Sequence, residues 1–243
     1  IDNAIARWKE IITDALFPDD TVDLKISIDL VADSDSDSTD VTLAQAGYTV
    51  TCNGMPCEGI VYLSQTVWAN GSAYADEFSP IDVLIHEIGH VVGIGGKLWN
   101  SKVDNYRYTG EYGVREFNKI KHTFVQNYNS NLCIEKDGGV GTAGSHFKEQ
   151  YFKYEIMSGW ADKGSKLSAI SVGVLNDLGY SVDYTKADDY DLGANYSSSL
   201  RIRHVGVQND RAGRLSQSRL TKGSWPKLCP HICCQSRIKS KKR

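Results

Sequence analysis

Ser79-Pro-Ile-Asp-Val-Leu-Ile-His-Glu-Ile-Gly-His-Val-Val-Gly93 sets two histidines four residues apart within a run of apolar residues. Ser79 suits an N-cap, Pro80 suits the first helical position with its fixed φ, and Asp82 places an acid in the first turn. Ile81, Leu84, Ile85, Ile88 and Val92 recur at helical spacing, and Val83 and Val91 widen the stripe, so a largely buried helix is expected. His86 and His90 lie four residues apart, which sets their side chains on one face about one turn, ~6 Å, from each other. Two imidazoles so placed reach one ion. Zn²⁺ accepts neutral imidazole nitrogen and keeps a position open for water when a third protein ligand is supplied. Glu87, rotated about 100° from His86, flanks that position as a base, which is the His-Glu-x-x-His logic of metal-assisted hydrolysis. The plainer reading is a buried helix with two hydrogen-bonded core histidines. The cap, the apolar stripe and the Gly three residues after His90 favour the metal.

Gly93 suits the left-handed conformation that ends a helix and turns the chain. In the metzincin pattern a third His follows that Gly by three residues. Here that position is Gly96, so the third ligand must come from elsewhere. His122, His146, His204 and His231 remain. His122 lies in an ordinary helical-looking run from Glu116 to Val125, and His204 and His231 lie in a basic C-terminal stretch. His146 follows Gly138-Gly-Val-Gly-Thr-Ala-Gly-Ser145, a run flexible enough to thread into a cleft. Met157, in Tyr154-Glu-Ile-Met-Ser-Gly159, fits either a core side chain or the Met that lies beneath trihistidine zinc sites.

Elsewhere the pattern alternates between helix and strand. Residues 1–17 carry Ile5, Trp8, Ile11, Ile12, Ala15 and Leu16 at helical spacing, with Pro18-Asp-Asp20 as a stop. Thr21–Val31 alternates apolar and polar residues like a half-buried strand, and Gly47–Thr51 and Gly59–Val67 read as two more. Strand, loop and buried helix in succession suggest a helix packed on a twisted sheet. Ser168–Leu178 reads as a capped helix ended by Gly179, and Tyr180–Tyr184 as a closing strand. The acidic run Asp33-Ser-Asp-Ser-Asp-Ser-Thr-Asp40 lacks the Gly and Glu of an EF-hand and reads as a solvated loop rather than a Ca²⁺ site.

The 243 residues suffice for one large domain or two lobes about a cleft, and no apolar run approaches the ~20 residues of a membrane span. The chain begins at Ile1, as a processed product or a fragment would, with no visible signal peptide. Charge divides sharply: residues 201–243 carry about +11, and residues 1–200 about −14. Cys52 and Cys57 bracket a turn-forming Asn53-Gly-Met-Pro56, so they are expected either as a short-loop disulfide or as two thiols. With sequons at Asn70 and Asn195, this favours an extracellular or cell-surface setting. Cys229-Pro-His-Ile-Cys-Cys234 lacks the paired spacing of a zinc ribbon. The basic tail is expected without regular structure and is suited to nucleic acid or another anionic surface.

Through these motifs the chain resembles the leishmanolysin family of metzincin zinc peptidases. The matching stretches are His86-Glu-Ile-Gly-His-Val-Val-Gly93, the insertion that follows it, Gly141-Thr-Ala-Gly-Ser-His146, Glu155-Ile-Met-Ser-Gly159 and Leu167–Tyr180, and the likeness covers roughly residues 1–190. The resemblance implies His86, His90 and His146 as ligands of one catalytic Zn²⁺, Glu87 as general base and Met157 as the Met-turn residue. It also accounts for Gly96, because family members carry an insertion before the third His. Phe147 stands where the family often has Trp. The implied fold is α+β, a metzincin-like catalytic domain. An N-terminal lobe (residues 1–96) would hold a twisted sheet and the active-site helix. A C-terminal lobe (97–195), mostly helical and irregular, would hold the third ligand and Met-turn, with zinc in the cleft between. Residues 196–243 form the tail. The implied activity is zinc-dependent endopeptidase action on proteins or peptides. The alternative is an inactive metzincin fold kept for adhesion or binding. No C-terminal apolar tail supports a membrane anchor, and no oligomeric state is implied.

Overall fold

The computed structural model describes residues 1–15, 23–32, 40–68, 78–121, 131–139, 141–192 and 234–239. In chain order these form α1 (Asp2–Ile11), β1 (Ile12–Ala15), β2 (Lys25–Val31), β3 (Asp40–Cys52), β4 (Met55–Ser64), α2 (Gln65–Trp68), α3 (Pro80–Val91) and α4 (Lys97–Asn100). There follow β5 (Val103–Asp104), β6 (Arg107–Tyr108), α5 (Glu111–Lys121), β7 (Leu132–Cys133), α6 (Glu149–Phe152), α7 (Ala169–Leu178), β8 (Tyr180–Val182), a 3₁₀ turn at Tyr184–Lys186 and β9 (Cys234–Lys239). The mixture of helices and sheets agrees with an α+β class.

The main sheet has the order β2-β4-β3-β9, with β2 parallel to β4 and the other pairs antiparallel. β3 and β4 begin earlier than the sequence pattern marks, at Asp40 and Met55, whereas β2 is shorter than the expected Thr21–Val31 and begins only at Lys25, after Asp23 and Leu24 outside the strand. The β3–β4 hairpin turns on Asn53 and Gly54, whose φ values of 51° and 88° are the paired positive angles that suit an Asn-Gly turn. A Cys52–Cys57 disulfide spans the same turn, with the Cα atoms 5.6 Å apart. β4 ends at Ser64, short of Val67, because Gln65–Trp68 curls into α2 with Val67 N donating to Ser64 Oγ.

The N-terminal helix is also shorter than its periodicity suggests. It stops at Ile11, and Ile12–Ala15 pairs antiparallel with β8, Ile12 opposite Val182. The apolar spacing of 12 and 15 is helical, since in a strand only residues an even number apart share a face. A strand partner supplied by residues 180–182 decides for β, and those residues lie far off in the chain. The closing strand ends at Val182, because Asp183 caps the 3₁₀ turn through Thr185 N. The acidic run at 33–39, the sequons at Asn70 and Asn195, and His122, His204, His231, Cys229 and Cys233 lie outside the described residues. Of the basic tail, Cys234–Lys239 pairs with the outer edge of β3 rather than lacking regular structure, since an open strand edge is a template for backbone pairing. Among the described residues no helix is long and apolar enough to cross a membrane.

α3 lies on the β3–β4 face, and its residues Val83–Val91 are all buried. Ile81 departs from the expected stripe: in the first turn, before the helix sinks into the core, it is 39% exposed. Ser79 Oγ accepts from Asp82 N at 3.3 Å, and Pro80 opens the helix. On the opposite flank Trp8 of α1 donates its indole N–H to Ile85 O at 2.9 Å. Contact with the sheet depends on Gly59, where a Cβ would overlap Val91 Cγ1 and stand 3.0 Å from Gly47 O. Gly59→Ala should therefore cost about 1–3 kcal/mol through overpacking. Adding Val91→Ala should recover part of the lost melting temperature, and a double-mutant melting cycle that shows strict additivity would refute this contact.

Candidate metal centre

His86 and His90 project from α3 as their spacing requires, and the insertion after Gly93 carries His146 back to them. The return path is tied at several points. Trp99 is fully buried, packs against Tyr108 and Phe147, and donates its indole N–H to Gly144 O at 2.8 Å. A three-stranded sheet, β5-β6-β7, leads out of that cluster. Just beyond its last strand Ile134 bridges to Phe147, Glu135 N donates to His146 O, and Gly144 N donates to Glu135 O. Phe147 is fully buried between Trp99 and Phe152, so an aromatic ring fills the position that follows the third His.

The three Nε2 atoms converge. His86 and His90 are 2.9 Å apart at Nε2, His86 and His146 are 3.1 Å apart, and His90 and His146 are 3.2 Å apart. All three rings are buried. Their other nitrogens meet backbone carbonyls: His86 Nδ1 at 2.6 Å from Ile156 O, His90 Nδ1 at 2.9 Å from Ile94 O, and His146 Nδ1 at 3.0 Å from Thr142 O. A carbonyl oxygen only accepts, so each Nδ1 carries the proton and each Nε2 presents its lone pair. Three lone pairs aimed at one point repel one another and attract a cation. Four-coordinate Zn²⁺ with Zn–N of about 2.0–2.1 Å sets neighbouring ligand nitrogens about 3.3 Å apart, close to the observed spacing. The donor set therefore fits such an ion, and among the described residues these are the three that gather as a metal-holding group.

Burial reinforces the neutral state of His86 and His90. It pulls the His86 pKa down to about 4, against the raising effect of the Ile156 carbonyl. Burial, then the neighbouring His86 and His146, hold the His90 pKa well below its ordinary value, with the Ile94 carbonyl acting the other way. Glu87, the next residue after His86, is fully buried beside them.

Met157 is fully buried and packs against α3 at Gly89, where a Cβ would come within 2.6 Å of its sulfur and 3.2 Å of Trp8 Cζ2. The Gly of the His-Glu-Ile-Gly-His run thus makes room for Met157. Ser158 N donates to Glu155 O to close the turn, and Phe147 N donates to Met157 O, so the segments that hold His146 and Met157 are bonded together. Sequence reasoning did not find Ile156, Ile94 and Thr142 as partners of the histidines. Any residue type offers a carbonyl, so only Gly93 gave a hint: its φ of 115° turns Ile94 O back to His90.

Residues 30–204 match the family model of leishmanolysin. The chain belongs to the leishmanolysin family. It is 26% identical over 164 residues to leishmanolysin of Leishmania donovani, an alignment covering 61% of this chain and 27% of that protein. With leishmanolysin of Leishmania chagasi it shares 28% identity over 165 residues, 61% of this chain and 26% of the relative. The chain thus spans about a quarter of the length of the curated relatives it matches.

Since the free rings are already neutral, metal should displace few ring protons. The depressed His86 and His90 pKa values mean that protons compete with metal at these two rings only at pH well below 6.5. At pH 6 Zn²⁺ binding should release fewer than one proton from the three rings, where ordinary imidazoles would release about two. Calorimetry in buffers of different ionisation enthalpy checks this; a ring release near two would contradict the buried neutral trio.

Proposed function

We propose that this chain is the catalytic part of a zinc-dependent endopeptidase, with His86, His90 and His146 as the metal ligands, Glu87 as general base and Met157 as the Met-turn residue. The observation that carries this reading is the convergence of three neutral Nε2 atoms beside a buried glutamate. Family membership supports it. One catalytic Zn²⁺, when bound, supplies Lewis acidity and lowers the pKa of a coordinated water toward ~7. Glu87 takes the proton of the attacking water and delivers it to the leaving amine of a protein or peptide substrate. Met157, packed on Gly89, holds the floor under the trio and keeps α3 and the His146 segment in register.

The site then lies between an N-terminal lobe, residues 1–96, and a C-terminal lobe, residues 97–195. A disulfide across the Cys52–Cys57 turn is compatible with an oxidising, extracellular or cell-surface setting. The basic tail, residues 196–243, adds a cationic segment suited to anionic surfaces.

Glu87→Gln should lower casein or gelatin hydrolysis by at least ~10²-fold while one zinc per chain stays bound. His146→Ala should lose the zinc. Hydrolysis that survives Glu87→Gln would remove the general-base role. A zinc-loaded wild type that cleaves nothing would favour the alternative, a fold retained for binding or adhesion.

A further inference from the structure

Glu155 is a fully buried carboxyl that takes no part in the chemistry above. Its Oε1 accepts from the hydroxyls of Ser168 and Ser171, both at 2.7 Å, and from Ser168 N at 3.4 Å. Its Oε2 accepts from Met157 N at 2.6 Å. Ser168 is the N-cap of α7 and Ser171 lies in the first turn, so the carboxyl sits at a helix end that favours negative charge. Burial pushes the Glu155 pKa up to about 7, against the hydrogen bonds from Ser171, Ser168 and Met157. Above that pH the group is a buried carboxylate whose donors are all in place.

The N–H that Glu155 holds belongs to the Ile156–Met157 peptide group. The oxygen of that same peptide is Ile156 O, which accepts from His86 Nδ1 at 2.6 Å. One rigid amide is therefore gripped at both poles, by a carboxylate at its N–H and by an imidazole at its C=O. Hydrogen bonds in such a chain polarise one another, and the planar amide passes orientation as well as charge. Metal-ligating histidines commonly donate their second N–H to a carboxylate or carbonyl, which fixes ring direction and raises ligand basicity. Here the carboxylate reaches the ring through one intervening peptide.

We propose that Glu155 is a positioning residue for the metal site, acting on His86 through the Ile156–Met157 peptide group. This rests on the reading of His86, His90 and His146 as zinc ligands. The carboxylate draws the peptide N–H, the carbonyl becomes a stronger acceptor for Nδ1–H, and Nε2 becomes a better donor to metal. The geometry also explains an acid between Tyr154 and Ile156 in the core, where an apolar residue would fill the space without desolvating a charge. A carboxyl serving only to tie the Met-turn to α7 would leave the properties of a bound metal unchanged in folded protein.

The test is made at pH 8, where Glu155 is ionised, on wild type, Glu155→Gln and Glu155→Asp. Zinc affinity is measured by chelator competition, and the visible spectrum is recorded for the Co²⁺-substituted forms. Glu155→Gln should bind zinc about tenfold more weakly and shift the cobalt bands, as outer-shell changes do. Glu155→Asp keeps the charge with a shorter reach, so it should fall between the two. A Glu155→Gln protein with wild-type circular dichroism, zinc affinity within twofold and an unchanged cobalt spectrum would overturn the proposal. If Glu155→Gln does not fold, Glu155→Asp decides on the same two readouts, and identity with wild type overturns it. A wild type that binds no zinc, or a His146→Ala variant that binds as tightly as wild type, instead overturns the ligand assignment beneath it.

Discussion

The constraint on which the rest depends is the direction of three buried N–H bonds. Each histidine of the trio gives its Nδ1 proton to a main-chain carbonyl, at Ile156, Ile94 and Thr142. Those three carbonyls come from three separate turns of the chain. One follows the end of α3, one lies in the Gly-rich return and one lies in the turn that carries Met157. Holding the protons on that side leaves three lone pairs facing one another within 3.2 Å. Such an arrangement is unfavourable for neutral imidazoles by themselves. The fold maintains it because the rings are fixed by backbone that has other reasons to be where it is.

Those reasons are packing reasons. α3 approaches the sheet at Gly59 and approaches the Met157 sulfur at Gly89, two places where a methyl group would collide. Trp8 closes the third side with a ring against Gly89 and an N–H to Ile85 O. β1 pairs with β8, and Arg7 reaches Lys186 O and the Asp188 carboxylate, so the first fifteen residues and residues 180–188 are bonded to each other. Nearly every wall of the site is therefore a contact between segments distant in sequence.

This distance decides what was legible in the sequence. α3 could be read apart from the exposure of Ile81, because cap, stripe, His pair and Gly93 are all local signals within fifteen residues. α7 could be read for the same reason, with Ser168 and Gly179 marking its ends and Gly179 taking a φ of 107°. His146 was one of several histidines by residue chemistry alone; the resemblance to a family singled it out, and the structure brings it to the pair. The switch from α1 to β1 at Ile12 was not legible, since the apolar spacing there stays helical and the partner strand lies about 170 residues away. The carbonyl partners of the histidines were invisible in principle, because a main-chain oxygen carries no residue identity.

Assembly of the site follows from the same facts. His86 and His90 come together as soon as α3 forms, whereas His146 must be brought back across a sixty-residue loop. Loop closure rises only logarithmically with length, so that insertion costs little more than a loop half as long. What matters is that the returning segment be held by contacts of its own. Trp99 to Gly144, Ile134 to Phe147 and Phe147 to Met157 supply them without any metal. The segment that carries His146 is thus positioned by packing and backbone pairing of its own. A cation bound by three lone pairs so aligned would relieve their mutual repulsion with little ordering of the chain, which is the condition for a tight and geometrically strict metal site.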